Sequence, residues 1–504
     1  MKRWLAVSLT LAFALAIVPS AAAVVREAQA LARTGSAASV GGVPALWLST
    51  PDPVLGSPAQ IAAAWDRAAW RACGIGLAVS ARADGANAVG LGLGGFSDDP
   101  TFEGLAIEPI VAGIVRGRAL AVVVPAAEPS ADSNALHALD MPPLEAALRG
   151  GAGAIGCTLP GAPWIAALCR DPHVLATAVV HDLRFDGFVT GSSWTDDTTL
   201  DRVRWGARKS GLLGRPPLPG SPDATATLAR RLVQSGAVLL KNDGAVLPFD
   251  PAATQSLLVV GADGATVSAL RTVMPSTKIT SVAAVRDVAL PAAGHVAACL
   301  VVLGAVDPLE GDLVRELASA NPRTAVVVER PPDGLAWIAS APALLVAWEP
   351  SLATPAGIAN LVSGFAAPSG RLPSAAVGLP LGSGSTYTTF AYSGFKVEYA
   401  RTASAAPVTV SFVVANSGLR AGSAVARLML AAPGGGGPRL AAFARVTLAP
   451  GRSRRVSLPL RVRAFAAWSA AYKAWYVAPG EYAATVLDTA PAPALSGSIR
   501  IVSR

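Results

Sequence analysis

The stretch Thr227-Leu-Ala-Arg-Arg-Leu-Val-Gln-Ser-Gly-Ala-Val-Leu-Leu-Lys-Asn-Asp-Gly-Ala-Val-Leu-Pro-Phe249 decides how the rest of the chain is read. Its first half is an amphipathic helix, with Leu228, Leu232 and Val233 on one face and Arg230 and Arg231 turned away. Gly236 stops the pattern, the apolar run Ala237 to Leu240 follows, and Asn242-Asp243-Gly244 makes a turn before Leu247-Pro248. A helix that covers a sheet, then a strand and a chain reversal, marks the edge of an α/β domain.

Downstream, apolar runs at Ser256 to Val260, Ala298 to Leu303, Thr324 to Val328 and Ala343 to Ala347 place that domain over 224–385. Val260-Gly-Ala-Asp-Gly264 is a strand-to-turn passage without the full Gly-rich dinucleotide fingerprint. After a connector at 386–404 the period changes to two. Val408 to Val414, Ala424 to Leu430, Val446 to Leu448, Val456 to Leu460, Tyr476 to Val486 and Ile499 to Val502 predict an antiparallel sandwich over 405–504. Upstream, 206–223 is a Gly/Pro/Arg-rich linker. Strand-like runs at Ala45–Leu48, Ile75–Val79, Ala119–Val124, Ala154–Leu159 and Asp186–Thr190 occupy 24–205. They alternate with helical stretches at Gln60–Cys73, Phe102–Arg116, Pro142–Arg149 and Trp164–Cys169. About 180 residues of β/α alternation is short of the roughly 200–250 of a full eight-stranded barrel, so a shortened or incomplete barrel is expected.

Met1-Lys2-Arg3, the apolar run Trp4 to Val18 and the small residues Ser20 to Ala23 read as a secretory signal over 1–23. The expectation is export, to the periplasm or the outside, with no membrane span after signal removal. Net charge is +8 over 504 residues, and +6 once Lys2 and Arg3 leave with the signal. The arginines read as scattered, with no basic–aromatic cluster, which argues against nucleic-acid binding. Of the four cysteines, Cys157 and Cys169 are near enough in sequence to pair; four buried thiols is the other reading. No spacing suggests a metal site, and no cofactor is expected. Ser192 and Ser193 lack the G-x-S-x-G elbow of a serine hydrolase.

Several motifs resemble glycoside hydrolase family 3, the β-glucosidase family. Val238-Leu-Leu-Lys-Asn-Asp-Gly244 with Leu247-Pro248 is similar to the opening of that family's second domain, and Asn360 to Pro373 (N-L-V-S-G-F-A-A-P-S-G-R-L-P) to its close. Gly394-Phe395 with Val397 to Tyr399 resembles a passage that follows it. Asn416 to Gly422, Leu448-Ala-Pro-Gly451 and Pro479-Gly-Glu-Tyr482 resemble its fibronectin type III-like third domain. Asp99-Pro100 with Gly104, Leu136 to Glu145 and Phe185-Asp-Gly-Phe-Val189 are similar to passages of its barrel.

The resemblance implies hydrolysis of a β-glycoside or oligosaccharide by two carboxyl groups, one a nucleophile and one an acid/base, about 5–5.5 Å apart in a retaining enzyme. This chain departs from it where the chemistry should sit. Aligning Trp194 of Phe188-Val-Thr-Gly-Ser-Ser-Trp194 with the family's Trp puts Ser193 at the nucleophile position. Asp196 and Asp197 follow and are the acids open to recruitment; their alternative is helix capping before Thr198. Pro125-Ala-Ala-Glu128 stands where the family has a sugar-binding Lys-His pair, and Gly94 to Ser97 where it has an Arg. Asp52 stands near its sugar-binding Asp. Glu310-Gly-Asp312, after the strand Ala298–Leu303, is expected in a surface loop, with Glu310 the candidate acid/base. Trp47 and Trp194 are candidate sugar platforms. The resemblance thus leaves two readings, a divergent hydrolase and a non-catalytic glycan- or partner-binding relative.

Overall fold

The protein is seen as a computed structural model that describes most of residues 55–156 and 222–502, short strands within 39–49 and 188–190, and parts of 205–218. The signal, most of the linker, and Cys157 and Cys169 lie outside the described residues. The chain divides into two compact units, one of residues 1–52, 70–95 and 103–221, the other of 53–69, 96–102 and 222–504.

In the first unit β1 (Ser39–Val40) and β2 (Val43–Pro44) pair antiparallel. A parallel sheet follows in strict chain order: β3 (Leu48–Ser49), β4 (Ala88–Gly92), β5 (Leu120–Val124), β6 (Ala154–Gly156) and β7 (Phe188–Thr190). Parallel strands wound in one direction with helices between them are the winding of a β/α barrel. Every residue of β5 is buried, as a strand covered on both faces requires. Among the described residues the sheet has five strands and does not close.

Two expectations fail here. The run Ile75–Val79 is not a strand, and Gln60–Cys73 is not one helix. The chain instead forms α1 (Pro58–Ala63), which belongs to the second unit, and α2 (Arg67–Ala83). Trp65, at φ 44°, breaks between them, and Asp66 caps α2 by accepting from the backbone N–H groups of Ala68 at 2.9 Å and Ala69 at 3.1 Å. Buried Trp70, Cys73, Leu77 and Ala81 recur every three or four residues, so the helical period outweighs a short apolar run. The strand that follows, β4, reads A-V-G-L-G and is poor in β-branched residues, which hid it.

α2 packs on α3 (Pro100–Arg116) through two glycines; α4 (Met141–Gly150) follows β5. A β-carbon at Gly74 would lie 1.9 Å from the Ile110 carbonyl oxygen, and one at Gly113 2.1 Å from that of Arg71. Gly74→Ala must therefore push the helices apart, at a cost of about 1–3 kcal/mol. The expected outcome is a lowered thermal midpoint; a midpoint equal to wild type would contradict the close packing.

The second unit opens on the deciding stretch. α5 (Pro222–Gly236) buries Ala229, Leu232 and Val233 and exposes Arg230 and Arg231. β8 (Val238–Asn242) follows, and the Asn242 amide brackets the turn, donating to the Leu247 carbonyl at 2.8 Å and accepting from the Leu247 N–H at 2.9 Å. Then come β9 (Ser256–Val260), α6 (Gly264–Val273), β10 (Lys278–Val282), α7 (Arg286–Ala293), β11 (Ala298–Leu303), α8 (Pro308–Ala320), β12 (Thr324–Val328), β13 (Ala343–Val346) and α9 (Thr354–Ser363). The sheet order is β10-β9-β11-β12-β13-β8, parallel except for β8. Alternate residues face opposite layers. Leu257, Val259, Leu300 and Val327 pack with Leu270 of α6 and Leu361 of α9. Leu258, Val260, Val301 and Val326 pack with Ala289 of α7 and Val314 and Leu317 of α8. Each fully buried Leu or Val contributes about 1.5–3 kcal/mol. Cys299, in the second layer, and Cys73 are buried free thiols pushed up to about 12 by burial.

The sandwich contains a strand within the stretch read as a connector, β14 (Phe390–Tyr399). It pairs with β15 (Val408–Asn416), which pairs with β18 (Ser453–Leu460). The facing sheet is β17 (Arg439–Leu448), β16 (Gly422–Ala431), β21 (Gly480–Leu487) and β22 (Leu495–Ile501). β19 (Ala466–Ser469) and β20 (Ala474–Val477) form a separate hairpin. In that hairpin Arg463 lies over the Trp475 ring, 2.9 Å from its centroid, with Trp468 packed on Trp475.

Candidate active site

Parallel strands put all their carboxyl ends on one side of a sheet, and the loops leaving those ends are where α/β folds place reacting groups. In the first unit, positions 50–52 follow β3 in the chain and positions 191–197 follow β7. β3 and β7 are the two edges of the described sheet, four inter-strand spacings or about 19 Å apart along it. Trp47, Asp52, Ser193, Trp194, Asp196 and Asp197 themselves lie outside the described residues.

At the carboxyl end of β4 the described residues supply a carboxylate that sequence reasoning missed. Glu103, in the first turn of α3 and only 5% exposed, accepts from the backbone N–H of Gly94, a residue at φ 83°. The bond fixes the loop that leaves β4. A lone acid in an otherwise apolar helical turn was the available signal.

In the second unit the winding reverses between β9 and β11, since β10 lies on one side of β9 and β11 to β13 lie on the other. Such a switch point opens a crevice at the carboxyl ends. From β9 it receives Gly261, at φ 78°, and Asp263, whose carboxylate caps α6 by accepting from the Thr266 N–H at 2.7 Å. From β11 it receives Gly304 and, beyond it, Glu310. The expectation of an acidic loop is corrected here: Glu310 and Asp312 both lie inside α8. Glu310 stands half-buried in the first turn, where a negative charge also suits the positive end of the helix dipole. Asp312 is exposed and pairs with Arg315 at 2.7 Å, one turn along the same helix. The sequence Pro308-Leu-Glu-Gly-Asp-Leu-Val-Arg-Glu-Leu buries Leu313, Val314 and Leu317 at helical spacing, and that apolar stripe fixes the acids on a helix.

A second carboxylate, also missed, stands beside this end. Glu329 follows β12 directly; its backbone N–H donates to the Gly304 carbonyl at 3.3 Å, and a β-carbon at Gly304 would lie 3.4 Å from its Oε2. An acid immediately after a fully buried strand was its sequence signal. Trp348, past β13, is unavailable as a platform, being 5% exposed with its indole N–H donated to the Gly236 carbonyl at 2.7 Å. The described residues thus bring two half-buried carboxylates to neighbouring strand ends of one sheet.

Residues 237–378 match the glycosyl hydrolase family 3 C-terminal domain, and residues 436–490 the fibronectin type III-like domain. Among curated relatives, a probable β-glucosidase I of Aspergillus terreus is 27% identical over 234 residues, 36% of this chain and 28% of that protein. A probable β-glucosidase K of Emericella nidulans is 35% identical over 128 residues, 24% of this chain and 14% of that one. The chain therefore matches less than a third of the length of these relatives. Among solved structures, a β-glucosidase of Chaetomella raphigera superposes with a TM-score of 0.76 at 20% identity, covering 95% of this chain and 99% of that chain. A β-glucosidase of Streptomyces venezuelae, solved with D-glucose, gives 0.78 at 16% identity, covering 91% and 95%.

Proposed function

We propose that the chain, a β-glucosidase-like protein of glycoside hydrolase family 3, is an exported carbohydrate-recognising hydrolase scaffold with weak or absent turnover. The observation that carries the reading is Phe188-Val-Thr-Gly-Ser-Ser-Trp194, which leaves β7 with Ser193 where the family's pattern has its nucleophilic Asp. A retaining mechanism needs an ionised carboxylate against an oxocarbenium-like centre, and an unassisted serine hydroxyl supplies neither the charge nor the nucleophile. The loss of the Lys-His pair at Pro125 to Glu128 weakens the grip on the first sugar in the same direction. Asp52, Trp47 and Trp194 are the residues assigned to sugar binding, and Asp196, Asp197 and Glu310 are the acids a residual hydrolysis would have to use. Export rests on the Met1 to Ala23 segment. No helix among the described residues is long and apolar enough to cross a membrane.

The test is a panel of aryl β-glycosides (glucoside, xyloside, N-acetylglucosaminide) offered to the purified chain beside Asp196→Asn and Glu310→Gln. The expected outcome is turnover at or near the blank for all three proteins, with glycoside binding detected by calorimetry. Turnover lost in both variants would mean that the site has been rebuilt around a displaced nucleophile.

A further inference from the structure

A buried guanidinium is stable when each N–H finds an acceptor and its charge finds an opposite. One cluster in the second unit meets neither condition. Arg371, from the close of the α/β domain, is fully buried, and Arg427 of β16 is 5% exposed. Both turn toward Asp488, which follows β21. Arg371 Nη2 stands 3.4 Å from its Oδ1, and Arg427 Nη2 donates to its backbone carbonyl. The Nη1 groups are taken by other carbonyls, that of Arg371 by Gly370 at 3.0 Å and that of Arg427 by Leu381 at 2.7 Å. The two buried Nε–H groups have no acceptor among the described residues. The phenol of Tyr392, on β14, is raised by burial and by the Asp488 charge, so it stays a donor, and its hydroxyl too closes no hydrogen bond.

These groups define the partner they take. A guanidinium N–H only donates, so the partner is an acceptor. Within a guanidinium the Nε and Nη2 hydrogens lie parallel along one edge, and both Nη2 groups face Asp488. Both Nε–H groups therefore open on that same side. Two guanidiniums and one carboxylate sum to +1; a water would leave that charge uncompensated, whereas a monovalent anion cancels it. The walls are close. A β-carbon at Gly382 would lie 2.3 Å from Arg427 Nη1, and one at Gly384 3.3 Å from Arg371 Cδ, so the anion must be small. We propose that the second unit holds one chloride-sized monovalent anion beside Asp488, bound by Nε of Arg371 and Nε of Arg427 with the Tyr392 hydroxyl as third donor. The ion completes a joint between the α/β domain, which supplies Arg371, and strands β14 and β16 of the sandwich. It is independent of any sugar chemistry.

The experiment follows the thermal midpoint of the full chain as sodium gluconate, whose anion is too large to enter, is replaced by sodium chloride at constant ionic strength. The midpoint is expected to rise and saturate, by roughly 4 °C at a hundredfold excess over Kd, and salt beyond saturation should add nothing. Tyr392→Phe keeps the ring and removes one donor, so the half-saturating chloride concentration should rise about fivefold. Crystals soaked in bromide should show an anomalous peak in contact with both Nε atoms. A midpoint indifferent to the exchange would overturn the proposal and leave the space to water. So would a half-saturation unmoved by Tyr392→Phe, or bromide found at surface positions only, as an adventitious ion.

Discussion

Trp65→Ala lowers the stability of the second unit by about 3–5 kcal/mol. Trp65 is fully buried, stacked on Phe102 with ring centroids 4.0 Å apart and met edge-on by Phe443 of β17 at 5.1 Å. Its indole N–H donates to the Arg371 carbonyl at 3.2 Å. One side chain therefore ties the α1–α2 break to the close of the α/β domain and to the sandwich. Truncation removes the largest class of apolar side chain, leaves a cavity among three segments, and strands a buried carbonyl. The positive φ of 44° is strained for alanine as for tryptophan, so the change recovers nothing from the backbone. Trp65→Phe keeps a ring but loses the donor, and should cost distinctly less. Denaturant midpoints of the three proteins check the order; equal midpoints would show that the cluster is not coupled to folding.

Asp488→Asn is expected to cost a similar amount, about 3–5 kcal/mol, for an electrostatic reason. Asp488 stands between two buried guanidiniums, with Arg371 Nη2 3.4 Å from its Oδ1 and Arg427 donating to its backbone carbonyl. Burial drives the Arg427 guanidinium down to about 10, the Arg371 charge adds to that, and Asp488 opposes it. Removing this carboxylate leaves two cations in a space that water cannot screen. Other bonds, such as Arg427 Nη1 to the Leu381 carbonyl at 2.7 Å, hold the guanidiniums in place, so they cannot simply swing out. Arg371→Met, measured alone and with Asp488→Asn, gives the coupling, expected at about 1–3 kcal/mol. Added salt should leave it unchanged, as befits a buried pair.

The parts of the fold legible in the sequence were those whose local pattern and tertiary environment agree. The stretch at 227–249 reads as it folds because the apolar stripe of α5, Gly236 and the Asn242 turn each have a single local solution. β9, β11, β12 and β13 read as strands because they are buried on both faces. The misses are positions where environment overrides pattern. β10 is K-I-T-S-V on an exposed edge of the sheet, with too little buried surface to show. β14 alternates weakly and lies mostly exposed, so it passed for a connector. Ile75–Val79 is apolar in either period, and only the packing of α2 decides it. Glu310 stands out by motif, and it is the apolar stripe at Leu313, Val314 and Leu317 that sets it on a helix and not in a loop. Glu103 and Glu329 belong to no motif; their placement depends on which strand ends become neighbours, and that is a property of the sheet.

The central claim is that no carboxylate occupies the nucleophile's place. A retaining glycosidase forms a covalent glycosyl–enzyme intermediate, which a 2-deoxy-2-fluoro-β-glucoside with a good leaving group traps as a stable adduct. Intact-mass spectrometry of the purified chain after long incubation with that reagent tests the claim directly. The account predicts an unchanged mass, with Ser193→Asp the one variant in which an adduct could return. A glycosyl increment on the wild-type chain, mapped to the peptide containing Asp196 and Asp197, would contradict it.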